Sequence, residues 1–122
     1  MSKFYNNIGK QPSLIAGPCV WEGLDHARCM VVDLLNTCED YNINFIYKTS
    51  FDKANRTSGT SFRGADYPLE GFAKLKEEFG IEILSDVHES WQAQELHSVD
   101  ILQIPAFLCR QTDLLEACAK TG

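Results

Sequence analysis

The sequence alternates four times between a short run of β-forming residues and a segment with helical periodicity. The predicted strands occupy residues 13–17, 45–50, 81–87 and 101–104. Strands that alternate with helices build βαβ units around a parallel sheet, and the crossovers between them are almost always right-handed. The alternation therefore predicts an α/β fold with a parallel sheet.

The segments between the strands carry the helix signals. In residues 24–39, apolar side chains recur at spacings of three and four and define one face, which consists of Leu24, Ala27, Val31, Leu34, Leu35 and Cys38. A helix over 69–79 is predicted to end at Gly80. Two further helices are predicted to be opened by Ser90 and Thr112.

Three architectures fit this pattern: a small doubly wound sheet, a half-barrel, or the first half of a (β/α)8 barrel. The chain has 122 residues, the size of one domain, and we expect a single domain over residues 1–122. A complete (β/α)8 barrel typically needs about 250 residues. If the units belong to a barrel, the chain therefore carries half of one.

Charge and hydropathy exclude some classes of partner. The formal net charge is -6, whereas general binding to nucleic acid or to anionic membranes draws most of its affinity from an excess of lysine and arginine. The sequence has no apolar run of about 18 residues, and it has no signal-peptide pattern. We therefore expect no nucleic-acid partner and no membrane partner.

The cysteines indicate a reducing compartment. They are odd in number and form no Cys-x-x-Cys pair; their positions are Cys19, Cys29, Cys38, Cys109 and Cys118. This pattern favours free thiols in the cytoplasm over a disulfide framework. Cys29, Cys38 and Cys118 lie on apolar helix faces, so we expect them in the core.

Polar side chains follow the ends of the predicted strands, where α/β proteins bind their ligands. Lys48 and Ser50 share one face of the second strand by alternation, and Asp86 and His88 share one face of the third. A lone lysine in a strand is more often a solvated edge residue. Polar groups at all four strand ends instead indicate a mouth that binds phosphate or carboxylate groups.

Four ordered motifs carry a resemblance to a known family. They are IAGPC at 15–19, KTSFDKANRTS at 48–58, SDVHE at 85–89 and LQIPAFLCRQTDLL at 102–115. From about residue 14 to residue 122, the chain resembles the 3-deoxy-D-manno-octulosonate 8-phosphate synthases. The resemblance implies the first four units of a (β/α)8 TIM barrel. It also implies the condensation of phosphoenolpyruvate with arabinose 5-phosphate, which releases phosphate and makes a lipopolysaccharide sugar acid.

The resemblance assigns roles to individual residues. Lys48 and Lys53 would neutralise the carboxylate of phosphoenolpyruvate and the charge that develops during attack, and Asp86 would contact the sugar. The substrate-binding residues that it implies are Ser50, Asn55, Arg56, Thr57, Gln103, Ala106 and Arg110. In the family, Arg110 reaches the sugar phosphate of a neighbouring subunit, which implies a homo-oligomer.

Cys19 marks the class of this family that requires a metal, because the metal-free members have asparagine there. A thiolate suits a divalent transition metal, with imidazole and carboxylate groups completing the site. By resemblance, those other ligands come from the second half of the barrel. The competing interpretation of Cys19 is a small buried hydrophobic residue.

Two alternatives stay open. The sister synthase that uses erythrose 4-phosphate typically reads Lys-Pro-Arg-Thr-Ser in this loop, whereas residues 53–57 here read Lys-Ala-Asn-Arg-Thr, which favours arabinose 5-phosphate. The other alternative is a truncated, non-catalytic half-barrel that binds phosphorylated ligands or a partner chain. Half a barrel leaves sheet edges and interior side chains uncovered. We therefore expect the isolated chain to have little or no synthase activity and to self-associate.

Overall fold

The fold is known from a computed structural model, which describes residues 3–53, 58–60, 64 and 68–122. Within these residues, four parallel strands form one sheet in the order β1-β2-β3-β4. Their bounds are Ser13–Ala16 for β1, Asn44–Lys48 for β2, Glu82–Asp86 for β3 and Ile101–Gln103 for β4. Doubly wound sheets reverse their strand order at a switch point, whereas this order is sequential. The predicted β/α units of a partial TIM barrel are confirmed.

Five α-helices and one 3-10 turn accompany the described sheet. They are α1 at Lys3–Asn7, α2 at Leu24–Asp40, α3 at Leu69–Phe79, α4 at Ser90–Glu95, the 3-10 turn at Ala106–Leu108, and α5 at Thr112–Ala119. The sequence did not predict α1 or the 3-10 turn, which are too short to show helical periodicity. Helix α5 ends at Ala119, and Lys120 forms its C-cap.

The helix ends follow local backbone chemistry. Gly80 ends α3 in the left-handed conformation with φ of 64°, as predicted. Ser90 and Thr112, predicted to open their helices, are instead the first helical residues, after the N-caps Glu89 and Gln111.

The two faces of the sheet have different surroundings. Phe45, Tyr47 and Ile83 point to the face that packs against α2 and α3, where a buried hydrophobic cluster includes Val31 and Phe72. By alternation, the other face carries Ile46, Lys48, Glu82, Leu84 and Asp86, and we call it the inner face. In a complete barrel, side chains of this face fill the interior.

The cysteine predictions were correct in part. Cys38 is buried in the core and Cys118 is half-buried, but Cys29 is exposed. Position 29 comes two residues after buried Ala27, which places it outside the apolar stripe of α2. The expectation that Cys29 lies in the core is therefore wrong.

Helix α1 is attached to the inner face. The Phe4 N–H group donates a 2.7 Å hydrogen bond to Oε2 of Glu82, a buried residue at the start of β3. The carboxylate thereby satisfies one of the amide groups that have no partner within a helical first turn. None of the described helices has the length and apolarity to cross a membrane.

Candidate functional site

Three ionisable side chains meet beyond the carboxyl ends of β2 and β3. The Asp86 carboxylate oxygen Oδ2 lies 3.6 Å from Lys53 Nζ and 3.7 Å from His88 Nε2. The side chains are largely buried, with exposed fractions of 14% for Lys53, 7% for Asp86 and 4% for His88. We call these three residues the Asp86 cluster. A carboxylate between two nitrogen groups balances a lysine charge that would otherwise be costly to bury.

The register of the sheet determines which residues of neighbouring strands lie side by side. Lys48 is the Cα partner of Leu84, so Ser50 comes level with Asp86 two residues further on. The Thr49 N–H donates to the Leu84 carbonyl oxygen at 3.2 Å, which extends the ladder past the end of β2. Lys48 and Ser50 consequently belong to the same edge of the sheet as the Asp86 cluster.

Buried polar atoms at this edge lack hydrogen-bond partners within the described ranges. They are Ser50 Oγ, Thr49 Oγ1, Asp86 Oδ1 and His88 Nδ1. Buried polar groups in proteins are nearly always paired, and leaving one unpaired is costly. Hydroxyl, imidazole and carboxylate groups together can accept from and donate to a polyhydroxylated ligand. The edge is therefore equipped for a small polar molecule.

The first strand reaches the same edge. The Trp21 N–H donates to the Ser50 carbonyl oxygen at 3.0 Å, which fixes the loop after β1 against the segment after β2. Cys19 lies on this loop and is exposed. Among the described residues, no group of three or more histidine, cysteine, aspartate or glutamate side chains could hold a metal ion.

The fourth strand contributes Gln103, which is the Cα partner of Asp86 and is exposed. Its carbonyl oxygen accepts a 3.1 Å hydrogen bond from the Val87 N–H. Ala106 begins the 3-10 turn just beyond, and Arg110 is exposed after that turn. Asn55, Arg56 and Thr57 lie outside the described residues, so their roles remain predictions.

Two residues of this edge were not identified from the sequence. Ser85 Oγ accepts a 3.1 Å hydrogen bond from the Phe51 N–H. Gln92 Oε1 accepts from the N–H groups of His88 at 2.7 Å and Glu89 at 3.1 Å. The spacing of Glu89 and Gln92 is that of a capping box, and this signal could have identified the second residue.

The fold and the cluster define a class of protein: a parallel β/α barrel segment whose strand ends carry charged and polar groups. The model of the DAHP synthetase I family matches residues 3–122, and the chain belongs to that family. The chain is 56% identical over 113 residues to a "2-dehydro-3-deoxyphosphooctonate aldolase" from Rickettsia bellii (strain OSU 85-389), covering 90% of this chain and 41% of the relative. A relative of the same name from Helicobacter pylori (strain P12) is 50% identical over 122 residues. This match covers 98% of this chain and 44% of the relative.

These matches confirm the resemblance found in the motifs. The chain spans about two-fifths of the length of these curated relatives, since the shares are 41% and 44%. The activity of the whole relatives is therefore only proposed for this chain.

Proposed function

We propose that the chain supplies the first four β/α units of a 2-dehydro-3-deoxyphosphooctonate aldolase. The reaction joins phosphoenolpyruvate, arabinose 5-phosphate and water, and it yields 3-deoxy-octulosonate 8-phosphate and inorganic phosphate. One observation carries the proposal: Lys53, Asp86 and His88 converge at the carboxyl ends of β2 and β3. They do so in a chain that is 50–56% identical to relatives with this name.

The proposed roles follow from the charges of the reaction. C3 of phosphoenolpyruvate forms a bond to the aldehyde carbon of the sugar, whose oxygen takes up a proton. Water then adds at C2, and the C2–O bond to phosphate breaks as the C2 carbonyl forms. The two water protons end on the new hydroxyl group and on the released phosphate. Lys48 and Lys53 lower the energy of the anionic carboxylate and of the charge that develops in this step. Asp86 keeps Lys53 directed at the site and accepts a hydrogen bond from the sugar, so the residues act mainly by positioning two anions.

The proposed binding residues divide between the two substrates. Gln103 and the Ala106 backbone bind the phosphate of phosphoenolpyruvate. Ser50 and the loop residues Asn55, Arg56 and Thr57 bind the sugar phosphate, and Arg110 reaches a neighbouring subunit. Two observations support this division: Ser50 Oγ has no hydrogen-bond partner among the described residues, and Gln103 pairs with Asp86 in the sheet register.

A divalent metal ion does not fit the described residues by themselves, because no three suitable side chains come together there. Cys19 can offer a single thiolate from its exposed position after β1. We propose that Cys19 is one ligand of a metal whose other ligands come from outside the described residues.

We further propose that the protein works as a homo-oligomer in the cytoplasm. The proposed role of Arg110 at a neighbouring subunit requires a second copy. The odd number of cysteines without a Cys-x-x-Cys pair supports reduced thiols, as a reducing compartment maintains them.

A non-catalytic half-barrel is the second candidate. Within the described residues, β1 and β4 each have a neighbouring strand on one side only. Such edges invite pairing with another chain, and a half-barrel could bind phosphorylated ligands without turning them over. The isolated chain is expected to have little or no synthase activity.

Calorimetric titration of the chain with phosphoenolpyruvate tests the binding site. We expect saturable binding that Lys53→Met weakens about 10-fold or more, as for the loss of a charge-assisted hydrogen bond. Lys74→Met is the matched control, because Lys74 is exposed on α3. Binding that is absent, or equal in the two variants, would overturn the proposal.

Product analysis separates the candidate activities. With phosphoenolpyruvate present, arabinose 5-phosphate should give the eight-carbon product in any assembly that is active. Equal or better turnover with erythrose 4-phosphate would instead identify the sister synthase. Binding of phosphoenolpyruvate without product from either sugar, in an assembly that restores the other half of the barrel, would support the non-catalytic half-barrel.

A further inference from the structure

We propose that Ser85 is a positioning residue that fixes the segment 51–53 so that the Lys53 ammonium group stands against Asp86 before any anion binds. The inference rests on the proposed function only for the identity of that anion. Ser85 is buried, and its side chain does not belong to the Asp86 cluster. It would act through the backbone of Phe51.

The regular β2–β3 ladder ends just beyond Lys48 and Leu84. Lys48 pairs with Leu84, and the Thr49 N–H donates to the Leu84 carbonyl oxygen. In a regular parallel ladder, the next donor on this strand, the Phe51 N–H, would reach the carbonyl oxygen of Asp86. It bonds instead to Ser85 Oγ at 3.1 Å. A side-chain hydroxyl thus takes the place of a backbone carbonyl where the chain leaves the sheet.

Two consecutive residues of β3 hold the two ends of the segment 51–53. Ser85 binds the Phe51 backbone, and Asp86 Oδ2 lies 3.6 Å from Lys53 Nζ. Side chains of consecutive strand residues point to opposite faces, so the two contacts come from two directions. Between them, Asp52 Oδ1 accepts a 2.6 Å hydrogen bond from the Lys53 N–H, which stiffens the segment.

Anchoring the segment 51–53 should make it easier for Lys53 to bind an anion. A long lysine side chain on a free loop loses backbone and rotamer freedom when it captures an anion. With the segment fixed, that loss has already occurred on folding, and an incoming anion meets an oriented ammonium group. Deleting the Ser85 hydroxyl removes the acceptor of the Phe51 N–H and releases the segment at one end. The ion pair with Asp86 then remains as the contact between the Lys53 side chain and β3.

NMR of the ligand-free chain measures the mobility of the Lys53 side chain directly. A fixed lysine gives two separate signals for its pair of Hε protons, and a freely rotating one gives a single averaged signal. Asp86→Asn supplies the reference for a released Lys53. We expect separate signals in the natural chain, a single averaged signal in Ser85→Ala, and restoration in Ser85→Thr, which keeps the hydroxyl. Ser98→Ala is the matched control, because Ser98 also has a buried hydroxyl, at the opposite end of the sheet.

The proposal is overturned if Ser85→Ala keeps the separate signals that Asp86→Asn loses, or if Ser98→Ala averages them equally. Ser85→Cys fills the site with a slightly larger thiol, which is a weak acceptor, and it takes the place of the alanine variant if that variant does not fold.

Phosphoenolpyruvate titration then connects positioning with binding. We expect Ser85→Ala to raise the dissociation constant about 3- to 10-fold, the range for one lost hydrogen bond. A natural chain that does not bind phosphoenolpyruvate would defeat the proposed function, while the NMR signals would still decide the role of Ser85.

Discussion

Gly17 lies directly against the backbone of Lys48: a Cβ atom at Gly17 would stand 2.0 Å from the Lys48 carbonyl oxygen. The neighbouring atom belongs to the backbone of a central strand, so it cannot rotate away as a side chain could. Only glycine lets the end of β1 approach the end of β2 this closely. This contact brings the loop that carries Cys19 to the edge of the sheet with the Asp86 cluster.

Gly17→Ala should therefore destabilise the chain. Strands β1 and β2 must separate locally to admit the methyl group, and overpacking of this kind costs about 1–3 kcal/mol. Urea unfolding followed by circular dichroism measures the loss. Gly59→Ala is the control, since a Cβ there meets no atom of the described residues within 4 Å. Equal stability of the two variants would contradict the close approach.

Asp100 should matter more for stability than its ion-pair partner. Its Oδ1 lies 2.7 Å from Lys76 Nζ, and its Oδ2 accepts a 2.9 Å hydrogen bond from the N–H of buried Ile83. Lys76→Met removes a partly exposed ion pair worth about 0–1 kcal/mol. Asp100→Ala also leaves a buried amide without its acceptor, which costs about 1–3 kcal/mol.

Chemical unfolding of the two variants checks this order. Asp100→Asn keeps an acceptor oxygen for Ile83 and should fall between them. An Asp100→Ala variant no less stable than Lys76→Met would contradict the role of the amide contact.

Gly71→Ala should disturb the packing of Trp21. A Cβ at Gly71 would lie 2.4 Å from Cζ2 of the buried Trp21 ring, which packs edge-on against Phe72 with 5.2 Å between ring centroids. The ring must move, so we expect a loss of stability of about 1–3 kcal/mol. Tryptophan emission should also shift to longer wavelength as water reaches the indole.

The exposed Trp91 would obscure that signal, so the measurement uses a Trp91→Phe background. Gly59→Ala in the same background is the control. Unchanged emission and stability in Gly71→Ala would rule out the close contact with the ring.

The pair Arg28–Glu78 predicts a pH-dependent difference in stability. Arg28 joins α2 to α3 through Glu78, with 2.8 Å between Nε and Oε2. The hydrogen bond from Arg28 lowers the pKa of Glu78 below its ordinary value of 4.5. A carboxyl group whose pKa is depressed by folding stabilises the folded state above its unfolded pKa, and that stabilisation is lost as the pH falls through the folded value.

Melting temperatures of the natural chain and of Arg28→Gln should therefore differ slightly at pH 7 and converge well below pH 4.5. Because the pair is exposed, added salt should reduce the difference at pH 7. Lys10→Gln is the control, because it also removes one positive charge and Lys10 is exposed outside this pair. A difference that grows toward acid pH would contradict the assignment.

The sequence predicted the order and type of the main elements because each signal was local. The apolar stripe of α2 and the glycine stop after α3 both depend on residues within a few positions of each other. The polar ends of β2 and β3 could be predicted to lie at one edge because parallel strands share their direction. The family motifs added the residue roles, which still await the binding experiments.

Other features depend on geometry that a single sequence does not carry. The hydroxyl of Ser85 caps the ladder only because β2 and β3 adopt one particular register. The attachment of α1 to Glu82 joins positions 78 residues apart. Cys29 looked apolar by residue type, but its angular position on α2 turns it outward. Long-range register and exact rotation about a helix axis are therefore what the sequence left open.

The inner face has a further consequence for the charges above it. Ile46 and Leu84, both buried, lie one step below Lys48 and Asp86 on the same side of the sheet. The hydrocarbon of these two side chains is far less polarisable than water. The electric field of an ammonium group above them is therefore directed toward the solvent side of the site. An approaching anion would therefore sense the lysines at longer range than it would above a wet surface. Replacing Ile46 or Leu84 by a polar residue should weaken this long-range attraction without changing any charge.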